Sequence, residues 1–187
     1  ASIKHDKERY EHKYEYCDLL ITGSGPSGLA SAYAAAKNGA RVILAEDKPR
    51  FGGSLLTSDV NIGNQTGVEW TEKIIAELKS MPNVTVKNRS QVFGYYDHNM
   101  LVMSERISDH LPKTQKYLPK QRLWYIRANE VLISSGSIER PLVFGNNDTP
   151  GVMLSSAAKE YMKVYGVLVV KKPLIFTNND SGYETAI

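Results

Sequence analysis

One cysteine stands among 187 residues, and a lone thiol makes neither an internal disulfide nor a dithiol relay. That suits a reducing compartment, so the expected location is cytoplasmic. Cys17 opens an apolar run and reads as a small buried hydrophobe rather than a reactive thiol. No apolar stretch approaches the roughly 18 residues of a membrane helix, and the charged N-terminus is no signal peptide. His5, His12, His98 and His110 show no metal-ligand spacing, and no metal site is assigned. No nucleophile–base set is evident, so no catalytic residue is assigned either. The net charge of +3 and pI near 8.8 are too mild to argue for nucleic acid. The chain lacks an initiator methionine and ends at Ile187 in what reads as a helix just begun, which is expected of a piece of a longer subunit.

What is present is concentrated between Cys17 and Gly53. Asp18 to Thr22 is a short apolar run suited to a strand buried on both faces of a parallel sheet. It runs straight into Gly23-Ser24-Gly25-Pro26-Ser27-Gly28. In this GxGxxG turn Gly23 permits the tight turn, Gly25 lets backbone approach a pyrophosphate, and Gly28 lets the next helix sit close to the strand. The alanine-rich segment Ser27 to Lys37, stopped at Asn38-Gly39, reads as a helix whose free N–H groups and dipole favour phosphate. A second strand, Arg41 to Ala45, ends at Glu46, 18 residues after Gly28 and 23 after Gly23. A carboxylate there accepts bonds from ribose hydroxyls and repels a 2′-phosphate. Asp47 reinforces that preference, whereas Lys48 and Arg50 are possible partners for such a phosphate. Gly52-Gly53-Ser54 lets the chain pass close to a cofactor, with Ser54 offering a hydroxyl or amide, or else it is a plain turn.

The fold class expected is α/β: a Rossmann-like FAD/NAD(P)-binding fold, its parallel sheet flanked by helices, plus a β-hairpin or meander. Residues 1–16 read as a charged arm, 17–172 as the dinucleotide-binding domain, and 173–187 as the start of a following strand-helix unit. Val68 to Lys79 is amphipathic, and Asn83 to Asn88 is a third strand. Ser90 to Tyr96 is expected to continue the sheet past the adenine end. Val92 is there either a backbone contact to adenine or simply core. Met100 to Arg106 and Gln121 to Ser134 read as strands joined by a lysine-rich loop. Lys113, Lys116, Lys120, Arg122 and Arg127 stand beside Tyr117, Trp124 and Tyr125, with no acid between Asp109 and Glu130. This is either a solvated or subunit-facing hairpin, or a nucleic-acid or protein-docking surface. Ser155 is expected to cap a helix to Tyr165. Leu174 to Thr177 reads as a strand feeding a second nucleotide loop that retains only Gly182, so one nucleotide site is expected. The motif alone leaves NAD and FAD both open, because the cradle takes the ADP half of either.

Beyond the common glycine turn, VFGYYDHN (Val92–Asn99), RLWYIRA (Arg122–Ala128), IERPLVF (Ile138–Phe144), PGVML (Pro150–Leu154) and FTNND (Phe176–Asp180) are more particular. With them, most of Tyr10 to Ile187 resembles the N-terminal dinucleotide-binding region of the alpha subunits of heterotetrameric sarcosine oxidases. The resemblance implies beta, gamma and delta subunits as partners in a complex that oxidises sarcosine, with folate taking the one-carbon unit and oxygen the electrons. It places FAD and the oxidation site on the beta subunit, FMN at the alpha–beta boundary, and a non-covalent NAD in this region. By motif, Ser27, Glu46, Asp47, Lys48, Ser54 and Val92 would contact NAD. Ser24 and Ser27 depart from the family's usual alanines, and Ser134-Ser135-Gly136 from its usual Ala-Thr-Gly.

Overall fold

Leu20 and Ile21 adjoin in the chain, and both are fully buried, one on each face of the same strand. Successive side chains of a strand alternate faces, so this strand is covered on both sides. In the computed structural model, which describes residues 8–112 and 117–186, it is β1, Tyr10–Thr22. There follow α1 (Pro26–Lys37), β2 (Val42–Ala45), a 3-10 turn (Gly53–Leu56), β3 (Asn61–Ile62), β4 (Gln65–Thr66), α2 (Gly67–Ser80) and β5 (Val84–Lys87). Next come β6 (Ser90–Tyr96), β7 (Met100–Arg106), β8 (Gln121–Ile133), α3 (Ser155–Tyr165) and α4 (Tyr183–Ala186). The sheet order is β5-β2-β1-β8-β7-β6, parallel from β5 to β8 and antiparallel through β7 and β6.

Two cores sandwich the parallel strands. Ile21, Val42 and Leu44 pack against Leu29 and Ala32 of α1 and against Ile74, Ile75 and Leu78 of α2. On the opposite face Cys17, Leu20, Ile43 and Ala45 meet Leu101, Met103, Trp124 and Ile126 of the meander. Burying a large aliphatic side chain is worth about 1.5–3 kcal/mol, so these two layers hold the sheet between them. α2 begins with a reciprocal cap: Thr66 Oγ1 accepts from the Glu69 amide at 3.3 Å, while Glu69 Oε2 accepts from the Thr66 amide at 2.8 Å. α1 stops where expected, with Asn38 at its C-cap and Gly39 in the left-handed region at φ +86.

Several boundaries differ from the sequence expectation. The charged segment Tyr10 to Tyr16 is not a free arm but the first half of β1, in parallel register with Gln121 to Arg127 of β8. Period-2 burial is not visible there because this half of β1 is mostly exposed on both faces. β8 follows the expected strand from Gln121 and ends at Ile133, one residue before Ser134. Ser90 to Tyr96 does join the sheet, but antiparallel to β7 and at the opposite end of the order from β5. Its first residue nevertheless returns to the end of β2, where the Ser90 amide donates to the Glu46 carbonyl at 2.8 Å. Leu174 to Thr177 forms no strand; Leu174 is 97% exposed and no ladder partner lies beside it among the described residues. Ser155 is the first residue of α3 rather than its cap. The Glu139 carboxylate takes that role, accepting from the Ser155 amide and hydroxyl at 3.3 and 3.0 Å and from the Ser156 amide at 2.8 Å.

Candidate functional site

The three glycines of the turn have distinct surroundings. Gly23 sits at φ +97, and a Cβ there would lie 2.3 Å from the Ser134 carbonyl oxygen. A Cβ on Gly28 would lie 2.0 Å from the Gly23 carbonyl oxygen. Both positions are closed to any side chain by the protein's own backbone. Gly25, the residue preceding α1, has an ordinary φ of −67, and a Cβ there would meet nothing within 4 Å. Nothing in the fold requires glycine at that place, so the room it leaves suits a group approaching from outside. Gly52 and Gly53 cross over it: the Gly52 amide donates to the Ser24 carbonyl at 3.1 Å, and a Cβ on Gly53 would come 2.9 Å from the Gly25 Cα.

Glu46, at the end of β2, is only 7% exposed. Its Oε2 accepts from the Ser24 amide at 2.9 Å and from the Ser24 hydroxyl, and its Oε1 accepts from the Lys48 amide at 3.0 Å. A carboxylate has about four acceptor positions, so the protein itself fills three of them. Fewer positions therefore remain for ribose hydroxyls than the sequence suggests. Burial, then the neighbouring Asp47 carboxyl, holds Glu46 above the ordinary glutamate range, against the pull of the Ser24 and Lys48 donors.

The other expected residues gather around this pair to different degrees. Ser27 is exposed in the first turn of α1, beside the open face of Gly25, and Ser54 is exposed in the 3-10 turn after Gly53. Asp47 is exposed and borders a polar cleft of about 310 Å³ whose walls include Arg89, Gln91 and Arg106. Lys48 makes two contacts to Glu160 of α3, at 2.8 and 2.9 Å. Arg50 lies apart, against α2, in a hollow with Phe51, Thr71 and Glu72. Val92 packs its side chain against the meander core opposite Met103, and its backbone belongs to the edge strand.

A family model described as FAD dependent oxidoreductase matches residues 18–80, the βαβ unit carrying these features. Sarcosine oxidase subunit alpha of Rhizobium meliloti is 44% identical over 100% of the chain, and that of Corynebacterium sp. (strain P-1) is 38% identical over 95%. The chain is a relative of the sarcosine oxidase alpha subunits. It spans about a fifth of their length, 19% in both cases. The solved L-proline dehydrogenase of P. horikoshii shares the fold at a TM-score of 0.68, with 23% identity over 85% of this chain and 30% of its own.

In this sarcosine oxidase relative the basic, aromatic stretch is knitted into the sheet. Arg122 pairs with Glu11 at 2.9 Å and Glu105 at 3.4 Å, and Lys120 pairs with Glu8 at 3.1 Å. The Trp124 indole is 8% exposed and donates to Glu105 at 2.7 Å, while Tyr125 stacks on Tyr14 at 5.1 Å. The acids that seemed missing between Asp109 and Glu130 are Glu11 of β1, Glu105 of β7 and Glu8, just before β1. Lys113 and Lys116 lie outside the described residues. Cys17 is 1% exposed, and burial, then the charges of Asp18 and Glu15, pushes its thiol up to about 12. Such a thiol is inert.

Sequence reasoning missed Ser24 as a clamp, Ser134 as the wall behind Gly23, and Glu160 as the partner of Lys48. Only the Thr66-x-x-Glu69 cap had a local signal. The rest are contacts between residues as many as 112 positions apart.

Proposed function

We propose that the stretch from Cys17 to Gly53 holds NAD, in an alpha subunit that serves sarcosine oxidation while the oxidation site lies on another subunit. The observation that carries this reading is the pairing of an unobstructed Gly25 with the buried Glu46 carboxylate, on the two strand ends where a dinucleotide's pyrophosphate and ribose are read. The residues fit such a ligand. Gly23, Gly25, Gly28 and the first turn of α1 with Ser27 would receive the pyrophosphate; Gly53 and Ser54 would line its other side. Glu46, Asp47 and Lys48 would face the ribose, and the Val92 backbone the adenine. NAD, when bound, offers a hydride-accepting ring, whereas the chain's own part is to bind and orient it.

The whole enzyme proposed is a heterotetramer with beta, gamma and delta subunits that demethylates sarcosine to glycine. Folate would accept the one-carbon unit and oxygen the electrons, and the complex would carry FAD and FMN in the cytoplasm. The relatives' names, at 37–44% identity, support this reading. No helix among the described residues is long and apolar enough to cross a membrane. The match to an FAD-dependent family model over residues 18–80 favours a second reading, in which FAD fills the same cradle. Releasing the ligand that co-purifies and weighing it distinguishes the two. A mass of NAD supports the proposal, and a mass of FAD supports the second reading.

A further inference from the structure

Lys48 is a cation placed next to the ribose-reading carboxylate, yet it is engaged elsewhere. Its amide is fixed on Glu46 Oε1 at 3.0 Å, so its backbone is held two residues past the acid. A basic side chain near this strand end is the group that receives a 2′-phosphate in dinucleotide sites that accept one. Here the ammonium meets both oxygens of Glu160, at 2.8 and 2.9 Å. Glu160 is itself held in place, because α3 is fixed at two further points. Glu139 binds its first amides, and Lys163 meets both oxygens of Asp59 at 2.7 and 2.9 Å. The other candidate cations are disposed differently: Arg50 lies against α2, Arg106 bonds Asp109 at 2.9 Å, and Arg89 shares its cleft with the Asp47 carboxylate.

We infer that Glu160 is a positioning residue for nucleotide selectivity: by pairing with Lys48 it withholds from a 2′-phosphate the cation two residues past Glu46, and so disfavours 2′-phosphorylated nucleotides at the site. The inference rests on the proposed nucleotide site, deepening it by naming what the site rejects and through which contact. Acceptance of ribose hydroxyls by Glu46 and withholding of the Lys48 ammonium by Glu160 then act in the same direction.

ADP and 2′,5′-ADP are the probes, titrated calorimetrically into the intact protein freed of nucleotide, because they report on Glu160 whichever dinucleotide fills the cradle. In Glu160→Gln the affinity for 2′,5′-ADP rises about three- to tenfold, as expected for one released partly exposed charge, while that for ADP stays within about twofold. Adding Lys48→Met to Glu160→Gln abolishes the gain. Raising the salt concentration shrinks it. An unchanged ratio of the two affinities in Glu160→Gln overturns the inference, as does a gain that survives loss of the Lys48 ammonium. Glu160→Gln unfolding at the same urea concentration as the unaltered protein excludes a change of fold as the cause. Failure of ADP to bind the unaltered protein would overturn the nucleotide site itself, and with it this inference; a response to 2′,5′-ADP with no affinity for NAD overturns only the NAD reading.

Discussion

Ser24 donates twice to a single oxygen of Glu46, through its amide at 2.9 Å and through its hydroxyl, across 22 residues of sequence. The same hydroxyl accepts from the Gly52 amide at 3.3 Å. One buried serine thus joins the glycine turn, the end of β2 and the crossing glycine pair. Removing its hydroxyl leaves the Gly52 amide with only the Ser24 carbonyl and costs Glu46 a donor. Ser24→Ala is therefore expected to lower unfolding stability by about 1 kcal/mol, read as a shift in the urea midpoint at constant slope.

The three glycines separate packing from binding. Gly23→Ala and Gly28→Ala each force a Cβ into backbone and are expected to cost more than about 3 kcal/mol of stability, or to abolish folding. Gly25→Ala meets open space at a φ any residue adopts, so its stability stays within about 0.5 kcal/mol. Its nucleotide affinity nevertheless falls. Thermal unfolding and nucleotide titration on the same three variants check the contrast.

Glu46 gives the site a pH dependence of definite sign. Its folded-state value is raised above 4.5, chiefly by burial. A raised value means that protonation of Glu46 adds stability below the ordinary value, and that this contribution is lost as pH rises through the raised one. For binding the direction is opposite, since the ionised form is the one that accepts ribose hydroxyls. ADP affinity is expected to fall on acidification, and to begin falling above the ordinary glutamate range. Glu46→Gln flattens that profile.

Glu139 behaves inversely. Burial pushes its carboxyl up, but the Ser156 and Ser155 donors outweigh that and hold it below its ordinary value of 4.5. The stability it contributes is present above that value and is lost as pH falls through the lowered one. Glu139→Ala is expected to cost about 1 kcal/mol, a typical loss for a helix cap, and to expose α3 to proteolysis before the rest of the sheet. Limited digestion with mapping of the first cut checks this.

The βαβ unit was legible in the sequence because its signals are local. The apolar run Asp18 to Thr22, the glycine spacing, the alanine-rich helix and the acid after β2 each sit within a few residues of what they specify. Gly23 makes a turn at positive φ and Gly28 meets the backbone of that turn, both as their local spacing implies, while the position of Gly25 is open. The rest depends on pairing at long range. The charged residues Glu11 to Glu15 form a strand because β8 supplies a parallel ladder, not because their own pattern asks for one. Leu174 to Thr177 carries a strand's composition but lacks a ladder partner among the described residues, so composition alone misleads. Lys48 could be seen as a possible phosphate partner, whereas its engagement by Glu160 required the fold.

Calorimetric titration of NAD into the nucleotide-free protein tests the central claim most directly. The account predicts saturable heat for one site, weakened by about 1–3 kcal/mol in Glu46→Ala and by more in Gly25→Val. No heat with NAD, from a protein that is yellow and releases FAD, would contradict it.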